Sequence, residues 1–137
     1  MPINNAKWLE DLPENCPPGD IEADYKGCFY RFVKTYPPTM EDFKSQRALY
    51  PDKVFDGNPT ECQTRACSVY SGEKAYKAVR KRCSRFKKLY VVSFDFKPEL
   101  GCCKQTGNDK SHYSWWISAN FDVKYLDFNK KEAPNEA

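Results

Sequence analysis

The sequence predicts a single α+β domain: a mixed or mainly antiparallel sheet of about five to six strands with two packed helices. Three observations lead there. The chain has 137 residues, room for one ordinary domain and too little for two. Its patterning switches between strand and helix periods in the order β-α-β-α-β, followed by two or three further strands. Most strand-like runs are short and half polar, unlike the continuous apolar runs of a parallel sheet. With nine Phe, nine Tyr and three Trp against two Met, the core should be built mainly from rings.

The elements follow in chain order. Residues 1–27 are rich in Pro, Asn, Asp and Glu, and Pro17-Pro18-Gly19-Asp20 excludes a helix there, so an irregular arm pinned by Trp8 and Leu12 is expected. "CFYRFVKTY", 28–36, reads as the first strand, stopped by Pro37-Pro38. Alternation sets Phe29, Arg31 and Val33 on one face and Cys28, Tyr30 and Phe32 on the other. "TMEDFKSQRALY", 39–50, reads as a helix capped by Thr39, with Met40, Phe43 and Arg47 on one stripe and Pro51 as the stop. A loop follows, then a short strand over 64–70. "SGEKAYKAVRKRCSRF", 71–86, is the clearest helix, with Ser71 as its cap and Ala75, Val79, Cys83 and Phe86 as the buried stripe. "KLYVVSFDF", 88–96, is the strongest strand. "GCCKQTGNDKS" reads as a turn-rich connection, "HYSWWIS" and "FDVKYLDF" as two more strands or one hairpin, and 129–137 as a polar tail.

The opening "MPINNAKWLEDLPEN" lacks the basic-then-apolar pattern of a secretory signal, and no run approaches the roughly 18 apolar residues of a membrane span. The expectation is a cytoplasmic protein with no membrane partner, its seven cysteines mostly reduced. No C-x-x-C pair exists and there is one His, so no metal is expected. The formal charge of +3 is mild and does not by itself argue for a polyanion.

Chemistry has three candidate locations. Between Lys74 and Lys88 lie eight cations, among them Lys77, Arg80, Lys81 and Arg85, opposed only by Glu73; they would meet nucleic-acid phosphates, or simply form a solvated helix face. Arg31 shares a strand face with apolar neighbours, so it must reach a partner, either a structural one or an anion gripped by its planar fork. His112 stands beside a turn and could act as acid, base or phosphate donor, with Trp115 or Trp116 as a stacking wall for a base; the alternative is that both indoles are core. No Gly-rich phosphate loop is present.

"FYRFVK", followed some 35 residues later by "ACSVYSGEKAYKA", resembles the front half of small ADP-ribosyltransferase-type domains and is similar to the toxins named for an Arg–Glu–Ser signature. The resemblance covers residues 28–80. It implies an Arg on an early strand that holds the phosphate or ribose of NAD, here Arg31, and a strand ending in hydroxyl residues that shape the nicotinamide pocket, here Ser68 with Tyr70 and Ser71. The late Glu that such enzymes use is missing: no Gln-x-Glu or Glu-x-Glu occurs, Glu99 sits in a turn, and Asp95 is one strand early. The departure puts transfer chemistry in doubt while leaving nucleotide binding open.

Three functions follow as expectations. The first is a domain that binds an anionic nucleotide-like ligand, with NAD as cofactor if it catalyses ADP-ribosyl or glycosyl transfer through Arg31, Ser68 and His112. The second is a non-catalytic accessory or immunity-type module whose partner is a protein, an antidote or a larger complex. The third is nucleic-acid binding through the basic helix.

Overall fold

The computed structural model describes residues 7–21, 25–57 and 59–134. Residues 1–6, which begin the expected arm, and 135–137, which end the expected tail, lie outside them. The fold is a six-stranded, wholly antiparallel sheet in the order β4-β5-β2-β1-β3-β6. The strands are β1 (Gly27–Val33), β2 (Cys67–Tyr70), β3 (Tyr90–Phe96), β4 (Gly101–Gln105), β5 (His112–Ile117) and β6 (Asn129–Glu132). Three α-helices accompany them: the single turns α1 (Gln46–Leu49) and α2 (Glu61–Thr64), and α3 (Glu73–Arg82), which packs on β1 and β2.

Cross-strand register assigns the faces. Phe29 opposes Phe94 and Cys67 opposes Trp115, whereas Tyr30 opposes Tyr70, and Ser68 opposes Ser114. The first set buries Phe29, Cys67, Val69, Phe94, Phe96, Cys103, Trp115 and Ile117 under Phe43, Phe121 and Phe128. The second lies under α3 and under the arm, whose Trp8, Leu12, Cys16 and Ile21 pack on Trp116 and Cys102. Both faces are therefore covered, and Val91, Val92, Ser93 and Phe94 run buried in succession along β3.

Several elements differ from the sequence reading. The helix expected over 39–50 is a 3-10 turn at Met40–Phe43 and then α1, because Ser45 starts a new cap by accepting from the Ala48 N–H. Phe43 is buried, but Met40 is exposed, and Arg47 instead forks onto Glu61 and holds the Pro51 and Lys53 carbonyls. Gly72, not Ser71, caps α3, and its buried set is Tyr76, Val79 and Arg80 rather than Ala75, Val79, Cys83 and Phe86. The expected connection 101–111 contains β4. Gly101 opens it at φ +128°, where an added Cβ would sit 2.0 Å from the Trp116 carbonyl oxygen, so only glycine fits. "FDVKYLDF" is not a strand: Asp122 caps a 3-10 turn, and Phe121 and Phe128 plug the aromatic face. Asn129–Glu132, expected in a frayed tail, is the edge strand β6, its lysines suited to an exposed edge.

Cys16 and Cys62 form a disulfide across 46 residues, tying the arm to α2, while Cys28, Cys67, Cys83, Cys102 and Cys103 are free. A disulfide is a mark of oxidising compartments, which runs against the cytoplasmic expectation. No helix is long and apolar enough to cross a membrane among the described residues.

The buried thiols make stability sensitive to alkali. Cys67 donates its S–H to the Phe43 carbonyl, and burial pushes its thiol up to about 11. Burial does the same to Cys102, also to about 11. The folded state thus keeps protons that an unfolded thiol releases near pH ~8.5, so stability is full below that pH and falls as pH rises towards the folded value. The expected loss is about 2 kcal/mol for each thiol, and so up to about 4 kcal/mol for the pair, between about pH 9 and pH 11. Urea titrations at successive pH values measure it, and an unchanged midpoint across that window contradicts it.

Candidate functional site

Arg31 and His112 lie on opposite faces of the sheet, so the single cleft that would have united them does not form. Arg31 points into the aromatic face with Phe29 and Val33. Its Nε and Nη2 donate to the Asp42 carbonyl at 3.0 and 2.7 Å, its Nη1 donates to the Ser68 carbonyl at 2.7 Å, and its guanidinium lies 5.3 Å from the centre of the Phe43 ring. Three of its five N–H donors are thereby taken by main chain. The Asp42 carboxylate in turn receives Lys34 N–H, the Thr35 hydroxyl and Thr39 N–H, which fixes the loop that carries the Asp42 carbonyl. Arg31 is a pin between β1, β2 and the 40–43 turn rather than a clamp beside His112.

The tryptophans leave the expected stacking wall as well. Trp115 is fully buried in the aromatic face and donates its Nε1–H to the Leu100 carbonyl at 2.9 Å. Trp116 is equally buried on the other face and donates to the Cys62 carbonyl at 2.9 Å. Adjacent residues in a strand point opposite ways, and here both directions are core.

Three of the expected residues, Ser68, Tyr70 and His112, do meet. Ser68 on β2 and His112 at the start of β5 share the second face, with Ser68 Oγ 3.0 Å from His112 Nε2. His112 Nδ1 lies 3.0 Å from the Thr106 carbonyl and 3.2 Å from the Thr106 hydroxyl, and that hydroxyl is 2.8 Å from the Ser114 hydroxyl. Tyr70 packs edge-on against the imidazole at 5.4 Å. Its phenol is held above the usual range, first by burial and then by the nearby Asp109. Ser71 contributes only its backbone here, donating to the Ser111 carbonyl at 2.9 Å. Alternation in "HYSWWIS" sets Ser114 on the face of His112, whereas nothing in the sequence marks Thr106, which only the β4–β5 pairing, with Gln105 opposite Tyr113, brings alongside.

The basic segment divides in two. Arg80 is buried against the sheet: Nη1 pairs with Glu132, and Nη2 reaches the carbonyls of Lys87 at 3.1 Å, Leu89 at 3.3 Å and Ala133. It is therefore a structural cation, not one of the phosphate contacts it was expected to supply. Lys74, Lys77, Lys81, Arg82, Arg85 and Lys88 are exposed. Arg85 lies over the Phe86 ring, 4.7 Å from its centre, and Lys77 is paired with Glu73 at 3.6 Å. Lys77, Lys81 and Lys87 border a groove of about 560 Å³ that runs between α3 and the segment Glu132–Pro134.

Among the described residues, no group of three or more His, Cys, Asp and Glu side chains is placed to hold a metal ion. Comparison with known proteins finds no matching family model, no matching curated protein and no matching solved structure.

Proposed function

We propose that this domain binds a polyanion, with nucleic acid as the ligand class, along the exposed face of α3 and the 3-10 turn Ser84–Lys88. The carrying observation is the groove edged by Lys77, Lys81 and Lys87, with six cations exposed on and beyond α3. Among the described residues, Lys77 is the only one of these side chains with a carboxylate partner. Charge neutralised internally would need no ligand; charge left facing water is available to phosphates, each contact releasing a counterion.

The extent of the patch favours a polymer over a mononucleotide. Ten helical residues span about 15 Å and five residues of 3-10 turn add about 10 Å, more than one pyrophosphate can cover. With Arg31 committed to carbonyls and both tryptophans buried, the features expected to grip NAD are engaged elsewhere. Few rings stand on the cationic face, so the ligand would be followed by its backbone rather than by stacking on its bases.

Anisotropy of labelled duplex DNA and single-stranded RNA against the full chain, over a series of salt concentrations, tests this reading. About four to five phosphate contacts give a log–log salt slope near −4 on duplex DNA. The triple change Lys77→Glu, Lys81→Glu, Lys87→Glu should weaken binding by at least about tenfold while the circular dichroism stays unchanged. No binding at low salt, or a triple variant that binds as tightly as the parent, overturns the proposal. A thermal shift with NAD or ADP-ribose that survives the triple change would return the ligand to the mononucleotide class.

A further inference from the structure

We infer that Ser68 and His112 form a nucleophile–base pair that can accept an acyl group from a small ester, at a site independent of the cationic groove.

The hydrogen bonding assigns the roles. The Thr106 carbonyl oxygen can only accept, so His112 Nδ1, 3.0 Å away, carries the proton of the neutral imidazole. Nε2 is then the ring's lone pair, and the 3.0 Å contact with Ser68 must be the Ser68 hydroxyl donating to it. Nucleophile, base and orienter are thus in sequence, which is the arrangement that activates a serine. The orienter is itself fixed. Thr106 N–H donates to the His112 carbonyl at 3.1 Å, the Gln105 amide donates to the Thr106 carbonyl at 3.1 Å, and the Thr106 hydroxyl meets Ser114 in a buried contact. The Tyr70 ring holds the imidazole from the side.

Exposure separates this serine from its neighbours. Ser93 and Ser114 are buried at 2% and 4%, whereas Ser68 and His112 are both half-buried at the surface of the sheet. Partial exposure between packed strands suits a short acyl group such as acetyl. In the reaction the Ser68 Oγ–H proton passes to His112 Nε2 as Oγ bonds to the ester carbonyl carbon. The tetrahedral adduct collapses with cleavage of the carbon–oxygen bond to the alcohol, which leaves with the proton from the imidazolium. Water then attacks the acyl-serine, gives its proton to Nε2, and the acid departs as Ser68 recovers its hydrogen. The net change is ester plus water to acid plus alcohol, with no redox partner. General-base assistance of this kind contributes about 10²–10⁴-fold.

The test treats the full native chain with p-nitrophenyl acetate and, separately, with a fluorophosphonate probe, followed by peptide mapping. The expected result is release of p-nitrophenol and a single modified serine, Ser68, with His112→Ala and Ser68→Ala each reducing acylation by at least about a hundredfold. Imidazole added to His112→Ala should restore part of the rate, and Ser68→Cys should retain acylation; both readouts are indifferent to a merely structural hydrogen bond. Thermal melts confirm that each variant is folded. Labelling confined to lysines or tyrosines, Ser68 labelling that is equal with and without His112, or no labelling of folded protein each overturns the inference.

Discussion

Trp115→Ala should destabilise the fold by about 4–5 kcal/mol, close to what a domain of this size can lose and remain folded at room temperature. The indole is wholly buried, and its ring centre lies 5.9 Å from Phe43, 5.3 Å from Phe94, 5.9 Å from Phe96 and 5.4 Å from Phe121. These rings come from the 40–43 turn, β3 and the 118–128 segment, so they are anchored separately and cannot close around the hole. Removing a large buried aromatic costs about 3–5 kcal/mol through lost transfer energy and the cavity left behind. The Leu100 carbonyl, which accepts from Nε1 and from the Ser118 N–H, would lose one of its two donors next to the opening of β4, adding up to about 1 kcal/mol. Trp115→Phe separates the two contributions: most of the ring remains and only the N–H is lost, for about 1–2 kcal/mol. Urea denaturation followed by far-UV circular dichroism measures both. A Trp115→Ala variant within about 1 kcal/mol of the parent would mean the aromatic face is not the centre of the core.

The same residue shows how far the sequence can be read. Period-two alternation in "HYSWWIS" establishes that the tryptophans face opposite ways, but nothing in it says that both sides of the sheet are covered. That depends on the arm folding over Trp116, an arrangement held by the Cys16–Cys62 disulfide across a separation with no spacing signature. A strand dense in β-branched and aromatic residues, such as 90–96, is legible because its strand character is encoded in its own residues. The strand β4, with "GCCKQ", and the strand β6, with "NKKE", are not, because what makes them strands is backbone pairing to β5 and β3. The site divides along the same line. Arg31 was recognisable as a cation needing a partner, but its partners are main-chain carbonyls, which belong to no residue type. Ser68 and His112 were each singled out, yet their pairing depends on register: His112 opposes Tyr70, which brings its ring diagonally to Ser68. Arg80 is indistinguishable in the sequence from the surface cations because charge in a sequence carries no direction. The buried set Tyr76, Val79, Arg80 shows the helix turned so that one arginine faces the sheet.

That inward turn makes a second strong prediction. Arg80→Ala should cost about 3–4 kcal/mol, whereas Lys81→Ala, one residue further on, should stay within about 0.5 kcal/mol of the parent. Arg80 joins three elements at once: Glu132 and Ala133 at the β6 end, and Lys87 and Leu89 in the turn leading to β3. Its side chain is only 9% exposed, so its loss takes the charge partner from a half-buried carboxylate and a donor from each of three carbonyls. Tyr76 feels the same carboxylate, its phenol raised first by burial and then by Glu132. Arg80→Lys keeps the charge but not the fork, and a single ammonium cannot serve Glu132 and three carbonyls on different sides, so it should recover only part of the loss. A double-mutant cycle with Glu132→Gln should return a coupling of about 1–3 kcal/mol, as expected for groups in direct contact. The two cations should also part in function. Lys81→Ala should lower the salt slope of polyanion binding by about one, while folded Arg80→Ala should leave that slope where it was, because Arg80 gives its charge to Glu132 rather than to a phosphate. Equal effects of the two changes on stability, or a fall in slope for Arg80→Ala as large as for Lys81→Ala, would place Arg80 back among the ligand-facing cations and undo the division on which the proposed binding face rests.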